Sequence, residues 1–186
     1  MYEVEVKAKL RNRQTVIKKL KSFGCRFSEE LHQVDHVFIP EGIIFPPKAG
    51  SGVGVLRVRK QNQKYFFTLK ISQSSRQDSI EREMEIKDGE MMVEIIKLMK
   101  YYEAPTVDKK RIKTKYKGME IVLDKVKHLG EFIEAEKIVK HKDHEARKKV
   151  QEELFDFLET LGITKEDRVI DGKYDIMLWE KMNKKL

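Results

Sequence analysis

Cysteine is almost absent from the 186 residues: Cys25 stands alone, so no intrachain disulfide can form. No histidine-containing partner motif accompanies it, and it reads as a small apolar core group rather than a nucleophile. No apolar run approaches the roughly 18 residues of a membrane span. The first residues lack the basic segment and apolar stretch of a secretory leader. A cytoplasmic protein with no membrane partner is expected. There is no P-loop (GxxxxGK followed by Ser or Thr) and no kinase glycine loop, so bound phosphate would be held by side chains rather than by a backbone cradle. RNP, helix-turn-helix and zinc-finger patterns are missing as well. The formal net charge is +8, yet the lysines spread over the whole length, including a basic run at 140–149 that reads as a solvated helix face. Nucleic acid is therefore not the expected partner; small polyanions such as triphosphates suit a basic chain equally well. No linker, composition shift or internal repeat interrupts the chain, and its length suits a single domain over 1–186.

What the chain does have is charge at alternate positions. Side chains alternate faces along a strand. In the opening Tyr2-Glu3-Val4-Glu5-Val6-Lys7-Ala8, the charges Glu3, Glu5 and Lys7 share one face, and the apolar residues share the other. One such strand would be an ordinary edge with a wet face. The pattern recurs, however. Arg57 and Arg59 fall together in LRVR, and Lys70 ends the apolar FFTLK. Glu81, Glu83 and Glu85 share a face of IEREMEI, and Lys109 pairs with Arg111 in DKKR. Asp124 closes EIVLD, and Glu134 and Glu136 align in FIEAE.

Between these strands, Val16, Ile17, Leu20 and Phe23 share a helical face over 13–23, which Gly24 stops. Helical spacing recurs over 89–100, 143–161 and 173–185. Strands are predicted at 2–10, 26–39, 53–60, 64–71, 80–87, 106–116, 118–126 and 132–140, with Lys117-Gly118 as a hairpin turn. The segments 40–52 and 72–79 read as loops. About eight strands joined mostly by hairpins predict an α+β fold: a closed or nearly closed eight-stranded antiparallel β-barrel with helices packed outside. The helices would cover the apolar face, leaving the charged face inside.

A charged interior is costly unless the charges are paired, hydrated and used. The basic set is Lys7, Arg57, Arg59, Lys70, Lys109 and Arg111; the acidic set is Glu3, Glu5, Glu83, Glu85, Asp124, Glu134 and Glu136. Guanidinium forks and ammonium groups suit phosphate oxygens. Clustered carboxylates suit Mg²⁺ or Mn²⁺, with phosphate supplying the remaining ligands. Together they describe a site for a metal–polyphosphate complex.

The segment Glu3-Val4-Glu5-Val6-Lys7 resembles the ExExK signature of the CYTH family, the triphosphate tunnel enzymes. That family groups class IV adenylyl cyclases with thiamine triphosphatases and tripolyphosphatases. ExExK alone is weak. It is followed in order by LRVR, the FTLK lysine, EREME, DKKR and LDKVKHLGEFIEAE, so the resemblance spans residues 2 to about 137, and less distinctly Asp171 to Tyr174. Gln33 to Phe38 and Leu129 to Phe132 resemble the cyclase-like branch. The resemblance implies an eight-stranded antiparallel tunnel. Glu3, Glu5, Glu134 and Glu136 would bind metal, and Arg57, Arg59, Lys70, Lys109 and Arg111 would grip phosphate. Lys7, Asp124 and Arg111 would lie at the reacting centre, and Glu83 and Glu85 match less firmly. The expected activity is conversion of ATP to cyclic AMP and pyrophosphate with Mg²⁺ or Mn²⁺. The alternatives are hydrolysis of tripolyphosphate, thiamine triphosphate or a nucleoside triphosphate, or noncatalytic binding of polyphosphate or RNA. A homodimer is left open.

Overall fold

A computed structural model describes residues 2–73, 79–140, 143–170 and 172–184, excluding the side chains of residues 2, 3 and 144. Residues 74–78 of the second expected loop, His141 and Asp171 lie outside the described residues, as does the Glu3 side chain. Ten strands and four α-helices alternate as β1 (Tyr2–Lys9), α1 (Arg13–Ser22), β2 (Leu31–Pro40), β3 (Gly54–Gln61), β4 (Lys64–Ser72), β5 (Ser79–Ile86), α2 (Gly89–Leu98), β6 (Tyr101–Glu103), β7 (Val107–Tyr116), β8 (Met119–Val126), β9 (Gly130–Val139), α3 (His144–Thr160), β10 (Arg168–Val169) and α4 (Tyr174–Asn183). The fold is α+β. Hydrogen bonds order the strands β10-β1-β9-β8-β7-β2-β3-β4-β5, with β6 beside β2. That order has two ends, so among the described residues hydrogen bonding does not close the sheet, and ten strands stand where eight were expected. The two extra strands, β6 and β10, have only three and two residues. Among the described residues, no helix is long and apolar enough to cross a membrane.

The chain forms two compact units. The first comprises residues 1–30, 110–126 and 130–170. Its antiparallel pairs place Glu5 opposite Glu136 and Lys7 opposite Glu134 across β1 and β9. Val4, Val6, Ile121, Leu123, Ile133 and Ala135 turn the opposite way into one core, with Val16 and Leu20 of α1, Leu154 and Leu158 of α3, and Cys25. Each fully buried side chain of this kind contributes about 1.5–3 kcal/mol. The expectation that Val4 and Val6 lie beneath helices therefore holds, and Cys25 is a core residue. Capping fixes where the helices start: Asn12 accepts from the Thr15 N–H and Asp143 from the Ala146 N–H. β7 and β8 join through Lys117-Gly118, both at positive φ (46° and 77°), the geometry of a type I′ hairpin.

The second unit comprises residues 31–109, 127–129 and 171–186. α2 starts at an Asp88 cap and packs Ile96 against Phe38, Leu56 and Val58. It lies so close to β4 that a Cβ on Gly89 would come within 2.1 Å of the Tyr65 ring. One helix departs from expectation. α4 packs Ile176 and Trp179 with Val37 and Ile39 of β2, which by alternation share a face with Asp35. The polar row of β2, Gln33 and Asp35, gives way to Val37 and Ile39, and these need apolar cover on the charged side.

Candidate functional site

In the first unit, the face of β1, β7, β8 and β9 turned away from the core carries a continuous chain of ion pairs. Lys7 Nζ lies 3.4 Å from a Glu5 oxygen and 3.1 Å from Glu134 Oε1. Glu134 Oε2 accepts from Arg111 Nη2 at 2.7 Å. Arg111 in turn donates from Nε and Nη2 to the two oxygens of Asp124. Burial alone would lower the Lys7 pKa; Glu134 and Glu5, with Asp124 beyond, outweigh it and hold the ammonium above its ordinary value. Lys7 is therefore a fixed positive charge at neutral pH. Beside this chain, Glu136 faces Glu5 across β1 and β9 and faces Glu120 across β8 and β9. Glu120 holds Lys113 at 2.5 Å.

In the second unit, Arg57 Nη2 donates to Thr68 Oγ1, to Glu81 Oε1 and to Glu83 Oε2, at 3.1, 3.2 and 2.9 Å. Glu81 also holds Lys70 at 2.6 Å. Burial would raise the Glu81 pKa, but Lys70 and Arg57 bring it below its ordinary value. Next to this group, Asp35 holds Arg59 by two hydrogen bonds and Lys109 by one. Lys109 also sits over the Tyr174 ring, 5.4 Å from its centre. The Arg57 Nε is buried with no hydrogen-bond partner among the described residues.

The structure thus brings Lys7, Arg111, Asp124, Glu5 and Glu134 into one network, with Glu136 across the strand from Glu5. It brings Arg57, Arg59, Lys70, Lys109 and Glu83 into the second unit's groups. Glu85 stands apart, pairing with Lys64 where both side chains are more than half exposed. Glu3 lies in β1 opposite Ile138. His32 and His36 bind carboxylates of Asp108 and Glu103 at 2.8 and 2.6 Å and join neither network. Sequence reasoning missed Asp35, Thr68, Glu81, Glu120 and Lys113. Glu81 was visible as part of the IEREMEI alternation; Glu120 and Lys113 become meaningful only through cross-strand register.

Residues 1–172 match the CYTH domain. The chain belongs to the CYTH family. A Methanocaldococcus jannaschii protein whose name gives adenylate cyclase as a proposed activity is 32% identical over 176 residues, 94% of this chain and 97% of that protein. The PH1819 protein of Pyrococcus horikoshii is similar in structure, with a TM-score of 0.79 at 26% identity, over 97% of this chain and 99% of that one. A Hippeastrum protein, HpAC1, described as revealing a dominant triphosphatase activity, shares the fold with a TM-score of 0.61 at 17% identity, over 98% and 96% of the two chains. The CYTH match stops two residues before α4 begins.

The donor set can be tested against a metal. Glu5 and Glu136 are hard oxygen donors on neighbouring strands, and Glu134 lies on the same face with its two oxygens on Lys7 and Arg111. Among the described residues, no three acidic, histidine or cysteine side chains converge to form a cage for an ion. Such a set fits a hard divalent cation that takes most of its ligands from phosphate and water, and does not fit an all-protein site.

Proposed function

We propose that this CYTH protein is a metal-dependent enzyme acting on triphosphates, and that its reaction is the class IV adenylate cyclase type, ATP to cyclic AMP and pyrophosphate. The observation that carries the proposal is the set of buried and half-buried cations on strand faces, Lys7, Arg57, Arg59, Lys70, Lys109 and Arg111, each held in place by a carboxylate. Fixed cations of this kind stabilise charge on a transferring phosphoryl group without reorganising during the reaction. Arg57, Arg59, Lys70, Lys109 and Arg111 would bind phosphate oxygens. Lys7, permanently protonated, would act as an electrostatic stabiliser. Asp124, with both oxygens on Arg111, would orient that guanidinium. Glu5 and Glu136, with Glu3 as its position in ExExK suggests, would hold Mg²⁺ or Mn²⁺, which when bound neutralises phosphate charge. In cyclisation the ribose 3′-hydroxyl attacks the α-phosphorus and pyrophosphate leaves. Such an enzyme belongs in the cytoplasm, where ATP is available.

An organic substrate needs room beyond its phosphates. A cavity of about 460 Å³ in the second unit, between the 42–45 segment, Tyr102–Pro105 and Trp179, offers apolar walls of that size. Hydrolysis is the second reading, favoured by the triphosphatase activity described for HpAC1, whose fold this chain shares. The deciding experiment uses ATP labelled at the α-phosphate, with thiamine triphosphate and tripolyphosphate in parallel, each with Mg²⁺ or Mn²⁺. Labelled cyclic AMP with pyrophosphate supports cyclisation. Rapid tripolyphosphate cleavage without cyclic AMP selects hydrolysis. Tight binding without turnover of any triphosphate selects a binding module.

A further inference from the structure

Resting on the triphosphate assignment above, we propose that Asp35 is a positioning residue: it fixes the guanidinium of Arg59 and the ammonium of Lys109 for phosphate while touching no substrate itself. Asp35 lies on β2, the strand between β7 and β3 in the hydrogen-bonded order. One cation reaches it from each side. Arg59 on β3 donates from Nε to Oδ1 at 2.6 Å and from Nη2 to Oδ2 at 2.9 Å. Lys109 on β7 donates to the same Oδ2 at 3.2 Å. The Asp35 side chain is 5% exposed, as is that of Lys109, and that of Arg59 is 12% exposed.

This geometry has two consequences. A two-point contact fixes the plane of a guanidinium, which a single contact leaves free to rotate. The rotamer freedom of two long side chains is then lost during folding rather than on ligand binding, which favours affinity. The second consequence is charge balance. Burial alone would raise the Asp35 pKa, but Lys109, Arg59 and Arg57 hold it well below the usual carboxylate range. Without Asp35 the charges of these three cations would face one another across β7, β2 and β3 without the carboxylate that lies among them.

The test is calorimetric titration of tripolyphosphate, with excess Mg²⁺, into the full chain. Asp35→Asn keeps the shape and removes the charge. It is expected to weaken binding about tenfold to a hundredfold, the range seen when a group that orients a metal ligand is removed. Because Asp35 acts through Arg59, the double variant Asp35→Asn/Arg59→Ala should bind more tightly than the product of the two single losses predicts. Full multiplicativity overturns the proposal. Should Asp35→Asn fail to melt cooperatively, Asp35→Glu carries the test. It keeps the charge but shifts the carboxylate by one methylene, so a residue that only balances charge leaves binding at the wild-type level, whereas a positioning residue does not. Unchanged or tighter binding in these variants overturns the role of Asp35 and leaves the triphosphate assignment standing. Failure of the unaltered chain to bind tripolyphosphate overturns that assignment as well.

Discussion

Arg111 holds Asp124 by two parallel hydrogen bonds, Nε to Oδ1 at 2.7 Å and Nη2 to Oδ2 at 2.5 Å, and Asp124 is wholly buried. Removing Arg111 takes this two-point partner from a buried carboxylate. Arg111→Met should cost about 3–5 kcal/mol, the scale for breaking a buried pair by removing one member. Arg111→Met combined with Asp124→Leu should recover most of that loss, since an apolar pair of similar volume needs no desolvated charge. Urea unfolding of both variants checks this; equal losses in the single and double variants would contradict it.

The proposed phosphate grip is expected to be local. Arg57→Ala or Arg59→Ala should weaken triphosphate binding by about 1.5–3 kcal/mol, the scale of a charge-assisted hydrogen bond. Lys148→Ala, at an exposed position on α3, should leave binding nearly unchanged. Titration calorimetry on the three variants separates a specific grip from a diffuse basic surface, which would lose affinity equally at every position.

Metal dependence is expected to reside in β1 and β9. The double variant Glu3→Gln/Glu5→Gln should abolish Mg²⁺-supported turnover while its melting temperature holds or rises, because like charges are relieved. A chelator should do the same to the unaltered chain. Turnover that survives either treatment refutes the metal role.

Stability should fall at both pH extremes, for opposite reasons. Asp35 and Glu81 have folded pKa values below the ordinary 3.8 and 4.5. The unfolded chain therefore takes up protons first, and the stabilisation, complete above those ordinary values, is lost as pH falls through the folded ones. Lys7 is raised above 10.5. Its contribution is complete below that value and is lost only as pH rises beyond it. Thermal melts from about pH 2.5 to 11 should show a plateau between two falling limbs, and Asp35→Asn should flatten the acid limb. An acid limb of the same slope in that variant would remove Asp35 as its cause.

Substrate choice is expected to separate from phosphate binding at Trp179. This residue borders the cavity in the second unit and meets Phe45 edge-on, with ring centres 6.0 Å apart. Trp179→Ala should raise KM for ATP while leaving that for tripolyphosphate within about twofold, since only the former has a base to bury. A comparable change for both substrates would detach the cavity from the organic moiety.

Alternation made most of the charged face legible. In β1, β3, β7 and β9, like charges two residues apart mark the face directly, and Val4, Val6, Ile133 and Ala135 mark its reverse. Asp35 escaped because its same-face neighbours on β2 are Gln33 and Val37; a lone carboxylate among uncharged residues shows no repeat. Glu120 gains its meaning from Glu136 and Lys113, on the two flanking strands, a relation that no single segment contains. β6 and β10 are too short to show a period. β2 was expected from residue 26 but starts at Leu31; at Ser28 the backbone N–H still reaches the Lys113 carbonyl, while the Lys113 N–H goes to the Ser28 hydroxyl. The cover that α4 gives to Val37 and Ile39 depends on long-range packing and could not be read from helical spacing alone.

The chain has one tryptophan, and it sits on α4 at the wall of that cavity. Its intrinsic fluorescence therefore reports on a single place, without background from other indoles. An aromatic ligand entering there would quench or shift that emission, whereas an inorganic polyanion would leave it dark to the event. Occupancy of the apolar compartment can thus be followed optically, in unlabelled protein, on the time scale of mixing.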